Sequence, residues 1–230
     1  MGERGGRVSQ AIGQMLTMAV GVALSPIPII ASVLLVSSPR GRVNGPAFVL
    51  GCAASAALIG GVLIAVGVGS GTDESGGPST GTSTLKLVLG VVLLGMAARQ
   101  WRGRPASDED PPLPKWMGAL DGFSPVRSLV AGVVVTGLNP KNLLLVIAGA
   151  AAVASAGATA GEEAVAWAIF TVIAMIGVAT PVVISFAMGE RSEDLLGRLR
   201  KWMAHNNGVI MAVILVLIGA KLLGDGIAGL

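Results

Sequence analysis

Lys141 is the residue whose type and setting point most directly to chemistry. It stands in Thr136-Gly137-Leu138-Asn139-Pro140-Lys141-Asn142, a polar interruption of a long apolar segment. A second interruption, Gly21-Val22-Ala23-Leu24-Ser25-Pro26-Ile27-Pro28, breaks the first apolar segment in the same way. Proline removes a backbone donor and frees a carbonyl one turn back. Deep in a bilayer this is tolerated only where protein or a cavity covers the freed groups. A half-helix restarting after such a break presents free N–H groups and partial positive charge, which suit an anion. Pro140 suits the first position of such a half-helix and Asn139 suits its cap. Lys141 adds a full positive charge, Asn139 and Asn142 offer amide donors, and Ser25 offers a hydroxyl. The expected substrate site therefore comprises Ser25, Pro26, Pro28, Asn139, Pro140, Lys141 and Asn142. Thr180, before Pro181 in a later apolar segment, is a further candidate. Together these residues suit a phosphate, sulfate or carboxylate carried on an amphiphile. Plainer readings compete: a proline kink that only shapes packing, or a lysine that snorkels or pairs with a backbone carbonyl.

The elements that must hold these residues are membrane helices. Of 230 residues, 53% are hydrophobic and 13% charged, and the mean hydropathy is +0.77. A soluble domain would carry about a quarter charged residues. The expected fold is all-α and polytopic, with six spans near Ser9–Ser38, Gly45–Ser70, Ser83–Gln100, Pro125–Ser155, Glu163–Met188 and Asn207–Gly224. The first apolar run is too long for a secretory signal and reads as a retained helix. A hydrophilic, proline-rich stretch, 101–124, separates a first repeat (1–100) from a second (125–230). Three spans per half force the halves into opposite orientations, so repeats here are inverted repeats. Matched broken helices, here the first and fourth spans, are the sequence mark of a transporter binding site. An ionisable residue at that depth is a functional candidate by default.

Charge sets the expected orientation. The first connection holds Arg40 and Arg42, and the third holds Arg99, Arg102, Arg104, Lys115 and Arg127. The fifth holds Arg191, Arg198, Arg200 and Lys201. The second has Asp73 and Glu74, the fourth has Glu162 and Glu163, and neither carries a basic residue. Eleven of the 16 Lys and Arg residues thus lie on the odd connections, which the positive-inside rule puts in the cytoplasm. Both termini then face outside the plasma membrane, against the weaker vote of Arg4 and Arg7. Trp101, Trp116, Trp167 and Trp202 lie near span ends, as in an aromatic belt. The small residues Ala53, Ala57 and Gly61 read as a close helix contact. Lys221 and Asp225, one turn apart, should pair.

Several classes are disfavoured. One His and one Cys assemble no nucleophilic triad or zinc-protease motif, and there is no phosphate-binding Gly-Lys-Ser/Thr loop. An enzyme, a cofactor and a metal site are not expected. No Asp or Glu lies inside a span away from its ends, so no carboxylate relay is visible. The net charge of +3 reads as topology, not as nucleic-acid binding.

The chain resembles the actinobacterial GAP family of glycopeptidolipid- and sulfolipid-addressing proteins, within the wider LysE exporter superfamily. The resemblance rests on Ser25-Pro26-Ile27-Pro28, Phe123-Ser124-Pro125, Gly137-Leu138-Asn139-Pro140-Lys141-Asn142 and Ala179-Thr180-Pro181. It continues in Leu199-Arg200-Lys201-Trp202 and in Gly219 through Gly226. It implies six spans, inverted repeats and a role in moving envelope glycolipids across the plasma membrane. Amino-acid exporters of that superfamily usually place glycine between the prolines of Pro-x-Pro. Ile27 stands there in this chain and fits a more apolar cargo. The leading expectation is translocation of an anionic or glycosylated lipid. The rivals are export of a small solute such as an amino acid, and a non-transporting scaffold for lipid-synthesis enzymes. The expected partners are membrane lipids, the lipid substrate, a second copy of the chain in a homodimer, and envelope-lipid synthesis or export machinery.

Overall fold

The computed structural model describes residues 2–68, 80–103 and 115–229. Asp73 and Glu74 of the second connection, and the 104–114 part of the proline-rich stretch, lie outside the described residues. The helices are α1 (Gly2–Ala23), α2 (Pro26–Val36), α3 (Gly41–Ala65), α4 (Thr80–Arg102), α5 (Pro125–Gly137), α6 (Pro140–Ala154), α7 (Ala160–Met188) and α8 (Ser192–Ile227). Short 3₁₀ segments lie at Lys115–Gly122 and Gly189–Arg191. Among the described residues there is no strand, and the protein is all-α. Among the described residues three stretches are long and apolar enough to cross a membrane, or up to five if each proline-broken pair counts as one span. Large apolar side chains such as Leu58, Val126 and Val172 stand exposed on the outer faces. That is the surface a bilayer covers, and too apolar for water.

Proline determines where two of the long segments break. Pro26 cannot donate to the carbonyl of Val22, so α1 stops at Ala23 and α2 restarts at a bend of 44°. The same chemistry at Pro140 separates α5 from α6 at 70°. Ser25 and Asn139, the two residues just before these prolines, have nearly the same backbone angles: φ −77, ψ 111 and φ −75, ψ 113. Pro181 behaves differently. It lies inside a continuous α7, with Thr180 bonded back to the carbonyl of Ile176 at 2.7 Å.

Glycine lets backbones meet at the helix crossings. A Cβ on Gly51 of α3 would lie 2.0 Å from the carbonyl oxygen of Leu129, and one on Gly132 of α5 would lie 2.2 Å from that of Phe48. A Cβ on Gly177 of α7 would lie 1.8 Å from the carbonyl oxygen of Ala23, at the end of α1. Helices α4 and α8 run antiparallel. Ser83 donates to the Gly229 carbonyl at 2.8 Å at one end, and Gly90 rests on Leu223 and Gly219 two turns further on. The core between these pairs is built around Phe48, Leu145, Phe170 and Leu215.

The structure departs from the sequence reading in four places. The small-residue contact of α3 does not use Ala57 and Gly61: Ala57 is exposed and a Cβ on Gly61 would meet nothing within 4 Å. The close contacts run instead through Gly51, against the α5 backbone at Leu129, and through Gly60 on the opposite face, against Trp167 of α7. Trp167 is not a belt residue. It is buried, stacks on Phe170 at 4.2 Å, covers Gly60 and donates to the Ala57 carbonyl at 3.2 Å. The end of the proline-rich stretch, Lys115–Gly122, is ordered because Met117 and Leu120, three residues apart, bury in the core. The last helix starts at Ser192 instead of Asn207, since Leu196, Met203 and Ala204 bury one face of its basic first half. Lys221 and Asp225 form the expected ion pair.

Candidate functional site

The two breaks meet. In an unbroken helix the N–H of Ser25 would bond the carbonyl of Gly21. At the break it turns to Val22 instead, at 3.1 Å, because Pro26 leaves that acceptor empty. The Gly21 carbonyl is thereby freed inside the bundle. Lys141 Nζ donates to it at 2.8 Å, across 120 positions of sequence. Gly21 also makes the approach possible, since a Cβ there would fall 2.4 Å from Ile218 and 3.0 Å from Leu145. Leu145 lies one turn beyond Lys141 on α6, so the missing side chain at Gly21 draws α6 to within lysine reach. The ammonium thus sits at the C-terminal end of α1, where the helix dipole favours a cation.

The restart of α6 follows its sequence. Asn139 caps the helix, its Oδ1 accepting from Lys141 N–H at 3.1 Å, and Pro140 takes the first position. At the other break Ser25 occupies the cap position of α2 but makes no cap bond. Ser25 Oγ and Asn142 Oδ1 are both buried and have no partner among the described residues. Pro26 and Pro28 are buried in the first turn of α2, whose Ser32 donates to the Val178 carbonyl of α7 at 2.8 Å.

A cavity of about 680 Å³ opens beside this junction. Asn139, Pro140 and Lys141 line it from the second break and Ile27 from the first. Most of its other walls are apolar, with Met96, Val135 and Met211 among them. Val134 and Leu138 also line it while 45% and 75% exposed, so the cavity is open along an apolar side of α5. Lys141 is 0% exposed although it contributes to the lining, so its charge is not presented to the cavity space. Thr180 does not line the cavity; it is exposed on α7 with its hydroxyl bonded to its own helix.

Sequence reasoning missed three contributors. Arg99 and Gln100, from the last turn of α4, line the cavity opposite the break. Arg99 counts in the sequence only as one charge of a cytoplasmic connection, and nothing local marks its cavity. Phe123 forms another wall, its carbonyl held by Nδ2 of the buried Asn44 at 2.9 Å. A lone Asn at the start of an apolar segment was the available signal for Asn44.

Apolar helices, two proline-broken segments and a buried lysine joining them define a multi-pass membrane protein of broken-helix type. Comparison with family models then places the chain itself. The model for Sap, the sulfolipid-1-addressing protein, matches residues 15–228, which include both breaks and every cavity residue, and the chain belongs to that family. No curated protein and no solved structure matches it.

Proposed function

We propose that the protein translocates a cell-envelope lipid, glycosylated or anionic, across the plasma membrane by way of the cavity beside the two breaks. The observation that carries this reading is the apolar, exposed side of the cavity at Val134 and Leu138, which line it while 45% and 75% exposed. An amphiphile entering from the bilayer keeps its tail against apolar walls while its headgroup meets Arg99, Gln100 and Asn139. A small polar solute would need a closed polar vestibule, and a scaffold would need no cavity. A second apolar cavity of about 600 Å³, between α3 and α7, is lined by Ala57, Glu163 and Thr171. On the charge-derived orientation it faces the outer leaflet, a place for the tail after crossing.

The same proposal includes six spans, with α7 and α8 as separate crossings, arranged as inverted repeats (1–100 and 125–230) with both termini outside. The matched cap geometry of Ser25 and Asn139 supports the repeats. So does the pairing of helices: α3 packs on α5 as α7 packs on α1. A LysE-type ancestry would account for both. Envelope lipids are the partners on this reading, with a second copy of the chain and lipid-synthesis machinery as candidates beside them.

The test is mass spectrometry of lipid co-purified with the full chain in mild detergent, alongside a Val135→Trp variant that fills the cavity. The parent is expected to retain a bound lipid and to display it at the cell surface, and the filled variant to lose both. Co-purification of a small polar solute without lipid would replace this reading with the exporter.

A further inference from the structure

Resting on the lipid reading of the cavity, we propose that Arg99 of α4, and not the buried Lys141, is the residue that selects the headgroup, and that it selects a compact oxyanion. The two cations are engaged differently. Lys141 Nζ is bonded to the Gly21 carbonyl at 2.8 Å and the side chain has no exposed surface. It ties one break to the other and offers nothing to the cavity until that tie opens. Arg99 is exposed, lines the same cavity, and has no ion-pair partner among the described residues.

Among the described residues no acidic side chain lines the cavity. A guanidinium beside walls made largely of Ile, Met, Phe and Val has no counter-charge among the described residues, and a cation in such a setting gains most from an anion that also excludes water. The planar guanidinium presents two parallel donors to phosphate, sulfate or carboxylate oxygens, which a lysine does not. Gln100, next in sequence and on the same lining, adds an amide donor and acceptor for the neutral part of a headgroup. The mouth at Leu138 and Val134 then takes the chain that follows. The substrate class is thus an amphiphile whose oxyanion lies close to its first apolar carbons.

A competing explanation is that Arg99 only neutralises the carbonyl end of α4. The structure supplies the control, because Arg102 lies in the same last turn, is also exposed, and does not line the cavity. Loss of either charge changes the helix end alike, whereas only loss of Arg99 changes the cavity.

The experiment titrates the purified full chain, in mild detergent, with dimyristoyl phosphatidylglycerol and with dimyristoyl phosphatidylcholine, reading bound lipid by native mass spectrometry. The parent, Arg99→Gln, Arg99→Lys and Arg102→Gln are compared after each is shown monodisperse. The parent is expected to prefer the anionic lipid by about ten-fold, the scale of one charge-assisted contact. Arg99→Gln should abolish that preference while still binding both lipids, Arg99→Lys should keep part of it, and Arg102→Gln should keep it all. Equal preference in Arg99→Gln and the parent, or equal loss in Arg99→Gln and Arg102→Gln, overturns the assignment to Arg99 and leaves the lipid reading standing. A parent that binds neither lipid overturns both.

Discussion

A lysine buried beyond the reach of water must direct its donors at protein atoms, and Lys141 directs one at the carbonyl that Pro26 sets free. The pairing was half legible. Asn139-Pro140-Lys141 announces a capped restart in three letters, and the cap forms between Asn139 and Lys141. Gly21 as the acceptor could not be read, because the freed carbonyl lies on a helix 120 positions away. Lys141→Met keeps most of the stem and removes the donor, leaving a buried carbonyl unsatisfied at a cost of about 1–3 kcal/mol. Lipid display at the cell surface should be lost at matched expression, and Lys141→Arg, too long and planar for the same gap, should stay below the parent. Display by Lys141→Met equal to the parent would show that the tie between the breaks is not needed. The two cap positions should also respond unequally. Asn139→Ala removes a formed cap bond and is expected to lower stability by about 1 kcal/mol. Ser25→Ala removes a buried hydroxyl that has no partner among the described residues and should be neutral or stabilising. Thermal melts of the two variants in one detergent measure the difference, and equal losses would remove the distinction drawn between the caps.

At the scale of elements, the sequence is most readable where the cause is local. Proline acts on the carbonyl one turn away, so both breaks fall where Pro26 and Pro140 place them. Helix contacts are not local. Ala53, Ala57 and Gly61 name one face of α3, yet small residues occur on several faces, and only the partner decides which face is used. The partner is α5, whose Gly132 meets the backbone of α3 at Phe48. The length of α8 was lost for a related reason. Its first half carries Arg198, Arg200 and Lys201, and reading those charges as a connection hides the apolar stripe of Leu196, Leu199 and Met203. The crossing predicts a sharp contrast between two glycines. Gly132→Ala puts a methyl 2.2 Å from the Phe48 carbonyl oxygen, where only backbone can yield. Overpacking of this kind costs about 1–3 kcal/mol. Gly61→Ala meets nothing within 4 Å and gains helix propensity. Melting temperatures should fall for the first and hold or rise for the second; a Gly132→Ala protein as stable as the parent would mean that α3 and α5 do not cross so closely.

The whole molecule is governed by where charge is allowed to reside. Composition alone places it in the membrane. The all-helical architecture agrees, while the count of crossings depends on whether each bent pair spans once and whether α7 and α8 are separate crossings. Orientation is a further step, and it rests on eleven basic residues grouped on alternate connections against Arg4 and Arg7 at the amino end. Lys and Arg near span ends bias orientation toward the cytoplasm, so the five between the last turn of α4 and the first turn of α5 favour that side for this end of the bundle. The second connection carries only Asp73 and Glu74, which weigh little in orientation. Single cysteines at Ser75 and Ser107, both outside the described residues, test the arrangement directly. The native background needs no alteration, because Cys52 is fully buried in the core and is closed to a water-borne maleimide. A membrane-impermeant maleimide applied to intact cells should label Ser75→Cys and leave Ser107→Cys unlabelled until the membrane is opened. Labelling of Ser107→Cys alone would invert the protein, bring both termini into the cytoplasm, and put the Arg99 cavity on the outer leaflet, where it would receive a lipid instead of collecting one.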